Sequence, residues 1–149
     1  MTKKIITIID YGMGNLVSIE NAIKYLNHKS IITNDIKIIE KSDILILPGV
    51  GSFYQAMTKL NNLGISKTIK KLIKKKQIKI LGICLGMQLM AKVGYEDKKI
   101  KGLGLIDAEV KKFKSNEKIK IPHVGFNKVI PDDYLGLYKN LKNLNYFYF

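Results

Sequence analysis

Ile78-Lys79-Ile80-Leu81-Gly82-Ile83-Cys84-Leu85-Gly86-Met87-Gln88-Leu89-Met90-Ala91 runs from an isoleucine-rich apolar segment into a helical pattern through Gly-x-Cys-x-Gly. That spacing predicts a strand, a sharp turn and a helix, with the chain's only cysteine at the corner. A nucleophile between two glycines on such a turn forms an elbow: neighbouring backbone crowds the glycines, and the side chain is thrust clear of the sheet. The helix then opens beneath the sulfur, with unpaired N–H groups and the positive end of its dipole facing it. Most cysteines are small buried apolar residues, but the flanking glycines and the strand-to-helix position mark Cys84 as a nucleophile, with the Leu85 N–H as an oxyanion donor.

Outward from the elbow, Ile5 through Ile9 and Ile44 through Leu47 are further short apolar runs, read with 78–83 as parallel strands covered on both sides. Helical stripes alternate with them. One holds Ile19, Ala22, Ile23 and Leu26, and a second holds Phe53, Ala56, Met57 and Leu60, opened by Ser52 and Gln55 at capping-box spacing. A third, of Ile65, Ile69, Leu72 and Ile73, is ringed by Lys67, Lys70, Lys71, Lys74 and Lys75. The alternation predicts a doubly wound α/β fold with a mostly parallel sheet, flanking helices and ligands at the carboxyl ends of the strands. After Ala91, the segments 102–106 and 109–113 read as a small antiparallel β excursion. A polar turn at 115–118, a helix at 131–141 carrying Tyr134, Leu137, Tyr138 and Leu141, and a strand at Tyr146-Phe147-Tyr148-Phe149 complete the expected order.

At 149 residues the chain has room for one domain. A single cysteine excludes an internal disulfide framework, and no apolar run reaches membrane-spanning length, so a reducing cytoplasm without membrane association is expected. The net charge of +14 raises a nucleic-acid reading. All the basic residues are lysines, however, and base and phosphate recognition favours the arginine fork. Lysines around an apolar stripe are a solvated helix face, and no nucleic-acid partner is expected.

Pro48-Gly49-Val50-Gly51 leaves one strand at the sheet edge where Cys84 leaves another, and its glycines let a peptide N–H turn inward as a second oxyanion donor. Asp10-Tyr11-Gly12-Met13-Gly14-Asn15-Leu16 resembles a dinucleotide loop, but Val17 stands where the third glycine belongs and no ribose-binding acid closes 31–33. It reads instead as a loop supporting the site or a partner surface. Neither a cofactor nor a metal is called for.

Four stretches, residues 9–18 (IDYGMGNLVS), 47–53 (LPGVGSF), 82–88 (GICLGMQ) and 122–127 (PHVGFN), together resemble class I glutamine amidotransferases, most closely the glutaminase subunits of imidazole glycerol phosphate synthases of histidine biosynthesis. The resemblance spans essentially the whole chain. It implies that Cys84 attacks the carboxamide of L-glutamine, that Val50, Gly51 and Leu85 supply the oxyanion hole, and that Gly49, Gln88 and Glu96 bind glutamine. It further implies that ammonia passes within a heterodimer to a (β/α)8-barrel cyclase subunit, with Asn15, Pro122, His123, Phe126 and Asn127 at the partner interface. Val124 and Phe126 stand where the family commonly carries methionine and tryptophan. A Gly49–Val50 peptide that turns inward only on partner docking is a further expectation. A paralogue serving another pathway, such as amidination of a surface sugar, shares these motifs, and a partner-binding remnant without turnover is the alternative from another class.

The family's base is a His-x-Glu downstream of the cysteine. Here His28 and His123 are the two histidines, and neither is followed two places later by an acid. The resemblance therefore implies one amidotransferase domain over 1–149 whose C-terminal part, with the histidine strand, lies beyond these residues.

Overall fold

A computed structural model describes residues 4–75, 78–113, 121–131, 136–139 and 146–149. The chain divides into two compact units, Met1–Lys112 and Phe113–Phe149. The first is built on a four-stranded parallel sheet of β1 (Ile6–Ile9), β2 (Ser30–Thr33), β3 (Ile44–Leu47) and β4 (Lys79–Gly82), in the order β2-β1-β3-β4. From β1 the chain steps outward to β2, and from β3 it steps the other way to β4. The carboxyl ends of β1 and β3 therefore flank the point where strand order reverses, the place where open α/β sheets form a crevice.

Alternation along the strands divides the core. Ile8 and Ile46 face one side, packed on Ile23 of α1 (Leu16–Tyr25) with Leu16 and Ile19. Ile9, Leu45 and Leu47 face the other, against α2 (Ile36–Ile39), α3 (Phe53–Asn62) and α4 (Ile65–Lys74). The period of two along each strand places its successive residues in the two layers. The buried positions of α3 are Phe53, Ala56, Met57 and Leu60, the expected stripe, and Ser52 caps the helix by accepting from the Gln55 N–H. Gly64, at φ +71°, ends α3 in the left-handed conformation that a helix terminus commonly recruits, and α4 begins at the next residue. On α4, Ile65, Ile69 and Leu72 are buried while the surrounding lysines are exposed.

Three expectations are corrected. Leu26 and Ala22 are exposed, because α1 ends at Tyr25 and turns its face through Leu16, Ile19 and Ile23. β4 is not covered on both sides: it is an edge strand of the four-stranded sheet, and its Leu81 is exposed while Ile80 packs on the main core. Residues 102–106 form no strand. The excursion is instead β5 (Val93–Gly94) between antiparallel β6 (Ile100–Lys101) and parallel β7 (Glu109–Val110), and Gly102 and Leu103 bond back to the chain at Lys92 and Leu89.

The second unit pairs β8 (Phe126–Lys128) with β9 (Tyr146–Tyr148) antiparallel, Phe126 lying edge-on to Tyr148 at 5.2 Å. Of the expected helix at 131–141, a single 3-10 turn at Gly136–Tyr138 is described. Tyr134, Leu141 and the turn at 115–118 lie outside the described residues. Among the described residues no helix is long and apolar enough to cross a membrane.

Candidate active site

Cys84 stands between β4 and α5 (Leu85–Leu89) at φ 55°, ψ −120°, a conformation that L residues with a Cβ rarely adopt. Holding a non-glycine residue there stores of order 1–3 kcal/mol, which the surrounding structure must offset. The Ile83 N–H donates to the Leu47 carbonyl (3.0 Å), tying the elbow to the end of β3. The Cys84 carbonyl accepts from the Met87 and Gln88 N–H groups, so the backbone of the elbow belongs to the helix while the cysteine itself stays exposed.

The two glycines are needed for room. A Cβ on Gly86 would lie 1.8 Å from the Leu47 carbonyl oxygen, and one on Gly82 would lie 2.5 Å from Met87 Cα. Both contacts are with backbone, which cannot swing aside as a side chain would. The loop after β3 is packed just as closely: a Cβ on Gly49 would stand 2.5 Å from the Tyr11 hydroxyl and 3.0 Å from both Gly86 N and Leu85 Cβ. Three strand ends, those of β1, β3 and β4, therefore converge on the cysteine turn. Gly51 follows at φ +92°, a conformation that favours glycine. Among the described residues the N–H groups of Val50, Gly51 and Leu85 have no acceptor, which leaves them available to a ligand oxygen.

Of the residues singled out for glutamine, Gly49 is buried in that crossing, Gln88 is exposed on α5, and Glu96 is exposed beyond β5. Glu96 has a partner that its sequence neighbourhood does not announce: its Oε2 accepts from the Phe53 N–H (2.8 Å) at the start of α3, while Ser52 Oγ donates to Asp97. Glu96 thereby satisfies an otherwise free N–H of the helix N-terminus, and both acids oppose the dipole favourably. Glu96 Oε1 has no partner among the described residues. Gly94, two places before Glu96, is required by packing, since a Cβ there would lie 2.5 Å from the Phe53 ring.

Asn15 caps α1, accepting from the Ser18 N–H, and is exposed. Pro122, His123 and Phe126 are exposed and Asn127 half-buried in the second unit, where Asn127 Nδ2 lies 2.9 Å from His123 Nε2. His28 precedes β2 at the amino edge of the sheet, whereas Cys84 follows β4 at the carboxyl edge. A strand of this length separates the edges by roughly 13 Å, so His28 is not placed to serve the sulfur.

Tyr11 is the residue that sequence reading passed over. It is buried, and its hydroxyl donates to the Pro48 carbonyl (2.8 Å). Burial, and secondarily the nearby Cys84, raise its pKa well above the ordinary tyrosine value. Folding thus favours the neutral phenol. The resulting stability is complete below pH ~10, where unfolded tyrosines begin to ionise, and declines as pH rises above that value toward the folded pKa. Phenolate absorbance should show one tyrosine that fails to titrate with the rest until the fold opens. Tyr11→Phe should remove that late step; a late step that persists would assign it elsewhere.

Residues 7–148 match the family described as glutamine amidotransferase class-I. The imidazole glycerol phosphate synthase subunit HisH 2 of Methanococcus maripaludis is 46% identical over 144 residues, covering 97% of this chain and 71% of the relative. Subunit HisH 1 of Campylobacter jejuni is 42% identical over 144 residues, covering 97% and 72%, and HisH of Lactococcus lactis 45% over 126 residues, covering 85% and 61%. Among solved structures, a crystal structure of a glutamine amidotransferase superposes with a TM-score of 0.61 at 20% identity, covering 69% of this chain. That likeness concerns the fold, and the chain spans about half (54%) of the solved chain's length.

Proposed function

The chain belongs to the class I glutamine amidotransferase family, and from that premise we propose that Cys84 releases the amide nitrogen of L-glutamine for a synthase subunit that builds imidazole glycerol phosphate in histidine biosynthesis. The observation that carries the reading is the Cys84 elbow: an exposed cysteine on a strained backbone, with the Val50, Gly51 and Leu85 amides lacking acceptors among the described residues. The sulfur adds to the carboxamide carbon, and the oxygen takes negative charge that the Leu85 N–H, with Val50 or Gly51, stabilises. Collapse breaks the C–N bond, the nitrogen takes up the proton that the thiol gave up and leaves as ammonia, and a glutamyl thioester remains. Water cleaves the thioester to glutamate and restores the thiol.

Gln88, Gly49 and the free Oε1 of Glu96 are the glutamine-binding groups in this proposal, with Glu96 pairing with the substrate's α-ammonium. The partner is a (β/α)8-barrel cyclase in a cytoplasmic heterodimer. Asn15, Pro122, His123, Phe126 and Asn127 contribute to that interface or its approach. The whole chain, 1–149, is read as one amidotransferase domain.

Cys84 is the chain's only thiol, so labelling reports on it directly. Iodoacetamide is expected to add one equivalent to the native protein and none to Cys84→Ser. Saturating L-glutamine should slow the addition while L-asparagine, one methylene shorter, should not. Equal rates with and without glutamine would count against the substrate assignment.

A second reading is docking on the synthase without turnover. Co-purification with the barrel subunit and no glutamate release would support it. Rescue of a histidine auxotroph lacking its glutaminase subunit separates the histidine pathway from a paralogous one.

A further inference from the structure

We propose that Tyr11 is the positioning residue of the oxyanion loop: its hydroxyl fixes the Pro48–Gly49 peptide against the Leu85–Gly86 turn, so that the free amides which follow stay in register with Cys84. The inference deepens the glutaminase reading and rests on it.

The argument begins with how Tyr11 itself is held. On its amino side Asp10 Oδ1 accepts from the Gly12 N–H (2.9 Å), closing a tight turn around the tyrosine, and on its carboxyl side Lys59 Nζ donates to the Gly12 carbonyl (3.1 Å). The residue is 3% exposed. Its hydroxyl therefore has a fixed position, and the position is against the loop: it donates to the Pro48 carbonyl at 2.8 Å, and a Cβ on Gly49 would stand 2.5 Å from it. The other side of Gly49 abuts Gly86 N and Leu85 Cβ. Gly49 is thus clamped between a tyrosine hydroxyl and the cysteine elbow.

The far end of the loop is anchored too. Ser52 caps α3 and bonds to Asp97, and the Phe53 N–H bonds to Glu96. Between these anchors only Val50 and Gly51 lie free, Val50 exposed and Gly51 at φ +92°. A short span pinned at both ends has few ways to arrange its amides, which limits the loop to a few geometries from which oxyanion donors can be presented. Removing the hydroxyl keeps the ring and its packing but releases one anchor.

The test compares two electrophiles on Cys84 in the 149-residue protein. A chloromethyl ketone analogue of glutamine develops charge on its carbonyl oxygen as the sulfur adds; iodoacetamide alkylates by direct displacement and needs no oxyanion donors. Tyr11→Phe is expected to slow the chloroketone about tenfold or more, in line with the sensitivity of such sites to misplacement, while the iodoacetamide rate and the melting profile stay close to wild type. Equal slowing of both reagents, or of neither, would overturn the proposal. Chloroacetone serves as the reference without a glutamine side chain. If wild type reacts no faster with the glutamine analogue than with chloroacetone, the glutaminase reading fails; the Tyr11 comparison is then decided on chloroacetone by the same criterion.

Discussion

Glutamate release by these 149 residues, with partner saturating, is expected to run at least ~10^3-fold below that of the Methanococcus maripaludis relative in its own complex, since a positioned general acid–base group contributes typically 10²–10⁴-fold. The thiol must lose a proton to attack, and the departing nitrogen must gain one. His28 lies at the opposite edge of the sheet from Cys84, and neither histidine is part of a His-x-acid element. Residues that act as a unit lose most of their catalysis when one is removed. Turnover within tenfold of the relative would mean that some other group in the chain carries the proton, and His123→Ala would then be the first variant to make. Thiol alkylation should survive, because it depends on the elbow and not on the base.

Gly86→Ala is expected to destabilise the fold by about 3 kcal/mol or more, at the upper end of overpacking costs. A Cβ there would meet the Leu47 carbonyl oxygen at 1.8 Å. The same carbonyl accepts from the Ile83 N–H, so moving it apart breaks the bond that ties the elbow to β3. Melting should fall by roughly 6–12 °C, taking 2–4 °C per kcal/mol for a domain of this size. Lys67→Ala, on the exposed face of α4, should change stability by no more than about 0.5 kcal/mol. If Gly86→Ala melts with wild type, β3 and the elbow do not approach as closely as described, and the oxyanion geometry loses its foundation.

Much of this site was legible before any coordinates. The Gly82, Cys84 and Gly86 spacing announced the elbow, and the Ser52 cap announced where α3 begins. What escaped was the company these residues keep. In sequence Glu96 stands beside Asp97 and Lys98, where nothing within a few residues needs a carboxylate. Its partner, the Phe53 N–H, is 43 residues away. Gly94 carries no local signal either, yet the ring of Phe53 leaves no room there for a Cβ. Tyr11 read as part of a loop motif, and its bond to Pro48 spans 37 residues. β4 read as a covered strand because its composition matches the others; its place at an edge follows from sheet order, which no local pattern encodes.

By itself, the sequence determined the alternation of strand and helix in the first half of the chain, the buried faces of α3 and α4 and the sharp turn that exposes the cysteine. Those follow from periodicity and from covalent limits on backbone angles, which act over a few residues. Only the tertiary structure decided that the β1 loop braces the β3 loop, that Glu96 after β5 accepts from the first N–H of α3, and that His28 and Cys84 occupy opposite edges of the sheet. Such contacts depend on which strands become neighbours. That choice is made by the packing of the whole core and not by any segment in it.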